Sequence, residues 1–231
     1  MLTRLKNLKR LSWLPRPFGP LLLLAASTLS VASAATYPTM APFARYAIPD
    51  QAAEIALARS AAPPSISDHA RVLVLGKRGY DTAVKGNNGF VCLVARSWDQ
   101  GIDNPEFWNP KIRSPECFNA AGARSVLPRY LERTRWVLAG KSMAEMRART
   151  KRLAPEPGSV CYMMSKHGYL NDAVGSWYAH VMFFGPDMQP AQWGANLPGS
   201  PVMADSAAYS PTTIFMVVVQ KWSDGTRNRS M

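Results

Sequence analysis

The sequence predicts an α+β domain: an antiparallel sheet made of an N-terminal three-strand meander plus C-terminal strands, with two helices packed on one face. Three observations predict it. Short strand-like runs broken by Gly- and Asn-containing turns fill residues 71–95; two capped segments of helical period fill 125–152; apolar strand-length runs return between 159 and 219. Strands, then helices, then strands again argue against the alternation of a parallel α/β sheet.

In chain order, Asp50 is placed to cap a short Ala-rich helix over 51–59, which stops before Pro63-Pro64. Residues 71–75, 80–85 and 90–95, separated by Gly76-Lys77-Arg78-Gly79 and Gly86-Asn87-Asn88-Gly89, are the expected meander. The segment from Ser97 to Cys117 is dense in Asp, Asn, Gly and Pro and is expected to be loop. Leu127, Tyr130, Leu131, Thr134 and Leu138 share one helical face, with Ser125 as the expected cap and Gly140 as the stop. Ser142 and Glu145 then form a capping box for the second helix, which ends before Pro155. Residues 159–165, 177–184 and 213–219 are the later strands, the last so uniformly apolar that a central, doubly covered position is expected.

The first 34 residues read as an export signal. Arg4, Lys6, Lys9, Arg10 and Arg16 precede the apolar run Leu21 to Val31, which is shorter than the ~20 residues of a bilayer-spanning helix. Ala32-Ser33-Ala34 supplies small residues for cleavage after Ala34, so a periplasmic or secreted location follows, with 35–49 as an extended lead-in and 50–231 as one α+β domain. No Cys follows the apolar run, and no further transmembrane segment is expected. The whole chain carries 27 Lys+Arg against 15 Asp+Glu; without 1–34 the balance is 22 against 15, or +7. That mild excess suits an anionic envelope component as partner. It is dispersed, and its densest run, 147–152, ends a helix where cations complement the macrodipole, so nucleic-acid binding is not expected.

Three cysteines in an oxidising compartment allow one bridge and one orphan. Cys92 and Cys117 flank the turn-rich loop and are the favoured pair, although spacing leaves both other pairings open. Cys161, within Val160 to Met164, reads as a buried small hydrophobe.

Signatures for a nucleophile elbow, a phosphate loop, covalent haem or a zinc helix are absent, and no cofactor is expected. The only His residues are His69, His167 and His180, with Asp68 and Asp172 near them. Imidazole with carboxylate is the usual acid/base or metal-ligand set, which makes His167, Asp172 and His180 the catalytic candidates of an exported hydrolase or metal-dependent enzyme. Met163, Met164, Met182, Met188 and Met203 invite a soft-metal reading, with core filling as the plainer role. Trp177, Tyr178, Phe183, Phe184 and Trp193 suit a ligand groove or the core.

The segment Ala61 to Ala70, the meander 72–92 with its Gly86-Asn87-Asn88-Gly89 turn, Cys117, Cys161 to Met164 and His180 to Met182 together resemble a set of small exported bacterial proteins with no assigned activity. The resemblance spans most of the mature chain and implies an envelope location and the Cys92–Cys117 bridge. It carries over no catalytic residue, and the long loop between those cysteines and the basic helix depart from it. The leading expectation is therefore an exported envelope-associated or ligand-binding protein, with the hydrolase or metal-dependent enzyme as the alternative.

Overall fold

Alternation along β1 (Arg71–Gly76) organises the molecule, sending Val72 into one core cluster and Leu73 and Leu75 into others on the opposite face. The computed structural model describes residues 36–151, 154–207 and 210–228, and these belong to one compact unit. The remaining strands are β2 (Gly79–Val84), β3 (Val91–Ala95), β4 (Ser114–Phe118), β5 (Val160–Met163), β6 (His180–Pro186), β7 (Val202–Ala207) and β8 (Ser210–Val218). They form one sheet in the order β2-β1-β3-β4-β5-β6-β8-β7. The fold is α+β, as the sequence predicts. The signal segment lies outside the described residues.

The meander is corrected in detail. β1 and β2 make the expected antiparallel hairpin, but β3 pairs with β1 rather than β2 and runs parallel to it. β2 brings the chain back to the end where β1 began, so the short stretch 85–90 suffices to start β3 on the other side of β1. That stretch passes hard against the start of β1: Arg71 N–H donates to the Phe90 carbonyl at 2.9 Å and Asn87 N–H to the His69 carbonyl at 3.0 Å. A Cβ on Gly86 would sit 2.1 Å from the Arg71 nitrogen, so only glycine fits the crossing.

Residues 114–117, the end of the expected loop, instead belong to strand β4, which is buried at every position and paired along β3. Pro115 and Glu116 mask it in the sequence, because neither favours strands. β8 is flanked by β6 and β7, yet Ile214 to Val218 are only half-buried, so the double cover expected of it is not seen. Helix α1 (Gln51–Arg59) starts at its Asp50 cap, whose carboxylate accepts from Ala52 N–H at 2.9 Å, and buries Ala58 with Val72, Cys92, Val94 and Cys117. Helix α2 (Pro64–Ser67) is a single turn.

On the opposite face, α3 (Ala120–Ser125) and α4 (Leu127–Leu138) set Val126, Leu127 and Tyr130 against Leu73, Leu93, Phe118 and Cys161. Ser125 does not cap α4; its hydroxyl donates to the Ala121 carbonyl. Helix α5 (Met143–Arg149) begins with the expected capping box and places Met146 with Val137, Trp98 and Tyr46. Tyr46 ties the lead-in down. It is fully buried, packs on Trp98 at 4.8 Å between centroids, and donates to the Trp108 carbonyl. Cys92 and Cys117 are directly opposed on β3 and β4 and joined as a disulfide, with Cys161 free and buried.

Candidate ligand pocket

α3 and α4 cover β2, β4 and β5, and the same face beside them borders a cavity of about 280 Å³. One wall is polar: Asp99 and Gln100 after β3, Ser114 and Glu116 of β4, and Arg129 and Arg133 of α4. The other wall belongs to the later strands, with Met163 of β5, His180 and Met182 of β6, and Thr212, Ile214 and Met216 of β8. Trp177 and Leu170 approach from the β5–β6 connection.

Strand register explains this gathering. Glu116 lies opposite Leu93, and the pairing of Cys117 with Tyr162, extended by one residue, sets Glu116 beside Met163. Met163 in turn faces His180, and Met182 faces Met216. Glu116 and His180 thus flank Met163, two strand spacings or roughly 10 Å apart along the backbone.

The polar wall is incompletely satisfied. Among the described residues, nine buried side-chain N or O atoms lack a hydrogen-bond partner, and six of these belong to residues that line this one cavity: Asp99 Oδ1, Ser114 Oγ, Glu116 Oε2, Arg129 Nη1, Arg133 Nε and Thr212 Oγ1. Folded proteins rarely leave such atoms unpaired, since each costs on the order of 1–3 kcal/mol. Their concentration on the residues around one cavity sets it apart from the rest of the described molecule.

Burial also sets the charges. Asp99 is pushed up to about 7, first by desolvation and against the pull of Arg133; its other oxygen accepts from Arg96 N–H at 3.3 Å. Glu116 is raised well above the usual carboxylate range by burial and then by Asp99. Arg133 is anchored by bonds from Nη1 to the Trp98 and Gln100 carbonyls at 3.0 and 2.6 Å, leaving Nε aimed elsewhere. Neighbouring Arg96 is wholly buried and spent on structure, paired with Glu54 at 2.8 Å and bonded to the Tyr46 carbonyl. Arg129 and Arg133 of α4 thus bring two guanidinium groups to the wall that holds the Asp99 and Glu116 carboxyls.

Of the three catalytic candidates from sequence, the cavity takes in His180 alone. His180 is 3% exposed, its Nδ1 lies 2.7 Å from the Tyr178 carbonyl, and its pKa is lowered by burial. The Nδ1 proton therefore goes to that carbonyl and Nε2 carries a free lone pair. Asp172 is engaged elsewhere, accepting from Tyr37, Tyr169, Lys111 and Asn109. Those bonds hold it well below the usual carboxylate range and clip the lead-in to the 109–111 loop. His167 is exposed after β5 and lies outside the cavity, and His69 and Asp68 are exposed beside α2. No group of three or more His, Cys, Asp or Glu side chains capable of holding a metal occurs among the described residues.

Sequence reasoning misses Asp99, Ser114 and Glu116 because they sit in the stretch expected as loop. It misses Arg129 and Arg133 because their i, i+4 spacing also suits a solvated helix face. The usable signal was Arg133 beside Thr134 on the apolar side of α4. Compared with family models, curated proteins and solved structures, the chain finds no match in any of the three.

Proposed function

We propose that this chain is an exported protein of the envelope or its surroundings that binds a small organic anion in the cavity between α4 and the later strands. The gathering of six unpaired buried polar atoms on residues around one cavity carries this reading. Unpaired groups able to donate, on Arg129, Arg133, Ser114 and Thr212, outnumber the unpaired carboxyl oxygens of Asp99 and Glu116, which favours a carboxylate headgroup. Met182, Ile214 and Met216 offer the apolar surface for the rest of the ligand. At about 280 Å³, the cavity suits a small metabolite rather than a polymer. Export rests on the charged and apolar segments before Ala35 and agrees with the Cys92–Cys117 bridge.

The test is calorimetric titration of the mature protein with acetate, succinate and benzoate, with phosphate as a purely inorganic anion. One saturable site for a carboxylate is expected, weakened at least tenfold by Arg129→Met. Affinity falls as pH rises through about 7, because ionised Asp99 then repels the anion. No saturable carboxylate binding, or binding indifferent to Arg129→Met, refutes the reading. The enzyme alternative shifts residues: Glu116 as acid and the free Nε2 of His180 as base face one cavity, whereas His167 and Asp172 do not.

A further inference from the structure

We propose that the face of β5, β6, β8 and β7 turned away from the cavity is the interface of a weak two-fold dimer, in which a second copy of this chain supplies the cover that β8 lacks. The inference is independent of the anion reading, because the cavity lies on the other face of the sheet.

Strand register defines the surface. On β6, His180 and Met182 line the cavity, so Val181 and Phe183 point to the opposite side. Pairing carries that face across four strands in two adjacent rows: Tyr162, Val181, Val217 and Val202, and beside them Val160, Phe183, Phe215 and Ala204. Helix α1 covers the same face over β1, β3 and β4. Over β6 the face is bare: Phe183 is 44% exposed although β6 is paired on both sides, and the other seven residues are half-buried. Trp193, at the end of a 3-10 turn over Pro190–Trp193, is 63% exposed and leans on Phe215 with 5.6 Å between ring centroids, which widens the patch. The solvent face of an antiparallel sheet normally carries polar side chains, whereas all eight positions here are apolar.

Two features assign the occupant. The first is size: Phe183 and Phe215 of one row lie beside Val181 and Val217 of the other. A two-fold axis running across the strands between the rows sets the two phenylalanines of each copy over the two valines of its partner, large against small, with the strands nearly aligned as in packed sheets. The second is charge. All 27 Lys and Arg of the chain lie outside residues 167–220, so β6, β7, β8 and their connections carry no cation, only three Asp. Two positively charged copies meet there with the least repulsion, whereas an anionic membrane draws in cations beside exposed aromatics. Eight residues and Trp193 are fewer than the roughly 20–30 a side of a standard interface, so the dimer is weak and concentration-dependent.

The experiment is sedimentation equilibrium of the mature protein between about 10 µM and about 1 mM. A monomer–dimer equilibrium is expected, at least about threefold tighter in about 0.5 M than in about 0.05 M sodium chloride, because salt screens the repulsion between the two copies. Phe183→Glu, at an exposed position, is expected to weaken the dimer at least about tenfold while keeping the wild-type circular dichroism spectrum. A second measurement needs no variant: in an equal mixture of isotope-labelled and unlabelled wild type, filtered nuclear Overhauser effects join the Phe183 and Phe215 rings of one copy to the Val181 and Val217 methyls of the other. A monomer throughout, association that salt weakens or that Phe183→Glu leaves intact, intermolecular effects confined to other residues, or a monomer that instead co-sediments with phosphatidylglycerol vesicles through Phe183 overturns the proposal.

Discussion

Asp99 shows how burial turns an ordinary residue into a sensor. Its folded pKa of about 7 lies above that of an unfolded aspartate, so the native state binds the extra proton. Below about pH 4 both states are protonated and nothing is lost; as pH rises from there through 7, the unfolded chain ionises first and the native state is progressively disfavoured. Asp99→Asn is therefore expected to gain stability relative to wild type between pH 5 and 8, by roughly 1–3 kcal/mol at the upper end, in urea unfolding followed across that range. Equal pH dependence of the two proteins would show that Asp99 ionises normally. Single residues were also where the sequence was least informative. His180 was legible as chemistry-bearing because histidines are scarce here, but its usefulness depends on a carbonyl two residues back, which no spacing reveals. Asp172 had the same outward promise and is consumed by four donors that come together only in the folded chain.

At the scale of elements, caps carry much of the definition. Asn119 caps α3 by accepting from Gly122 N–H at 2.9 Å, accepts again from Val160 N–H at 3.0 Å, and donates to the Gly158 carbonyl at 2.8 Å. It thereby fastens β5 to the start of the helical layer and so holds Met163 in place. Asn119→Ala is expected to cost about 2 kcal/mol, at the upper end for a lost cap, in thermal unfolding, and to lower ligand affinity by loosening β5; Asn119→Asp should recover the cap. The caps of α1 and α5 were readable because Asp50 and the Ser142–Glu145 box are local in sequence. Strand order was not. Whether β3 lies beside β2 or β1 depends on the 85–90 crossing tucking under Arg71, a contact between distant residues. β4 was hidden because Pro115 and Glu116 have the composition of a loop, although both are buried in the strand.

For the whole molecule, the Cys92–Cys117 bridge joins two adjacent strands at the centre of the sheet and closes the 93–116 stretch that supplies Asp99 and Ser114. Replacing both cysteines by alanine is expected to cost about 2–5 kcal/mol and to weaken anion binding, since the polar wall is then less constrained. Chemical denaturation beside calorimetry would register both losses; unchanged stability would make the bridge incidental. The α+β class was legible from periodicity alone, because strands and helices announce themselves locally. The cavity was not, since it arises from the register of five strands against one helix. The most direct test of the pocket is a titration of nitrogen-labelled mature protein with benzoate, following the Arg side-chain Nε–Hε resonances. The Arg133 Nε signal should move saturably and become protected from solvent exchange as its missing acceptor arrives. An Arg133 signal that stays still while only exposed arginines respond would mean that the unpaired atoms await no ligand.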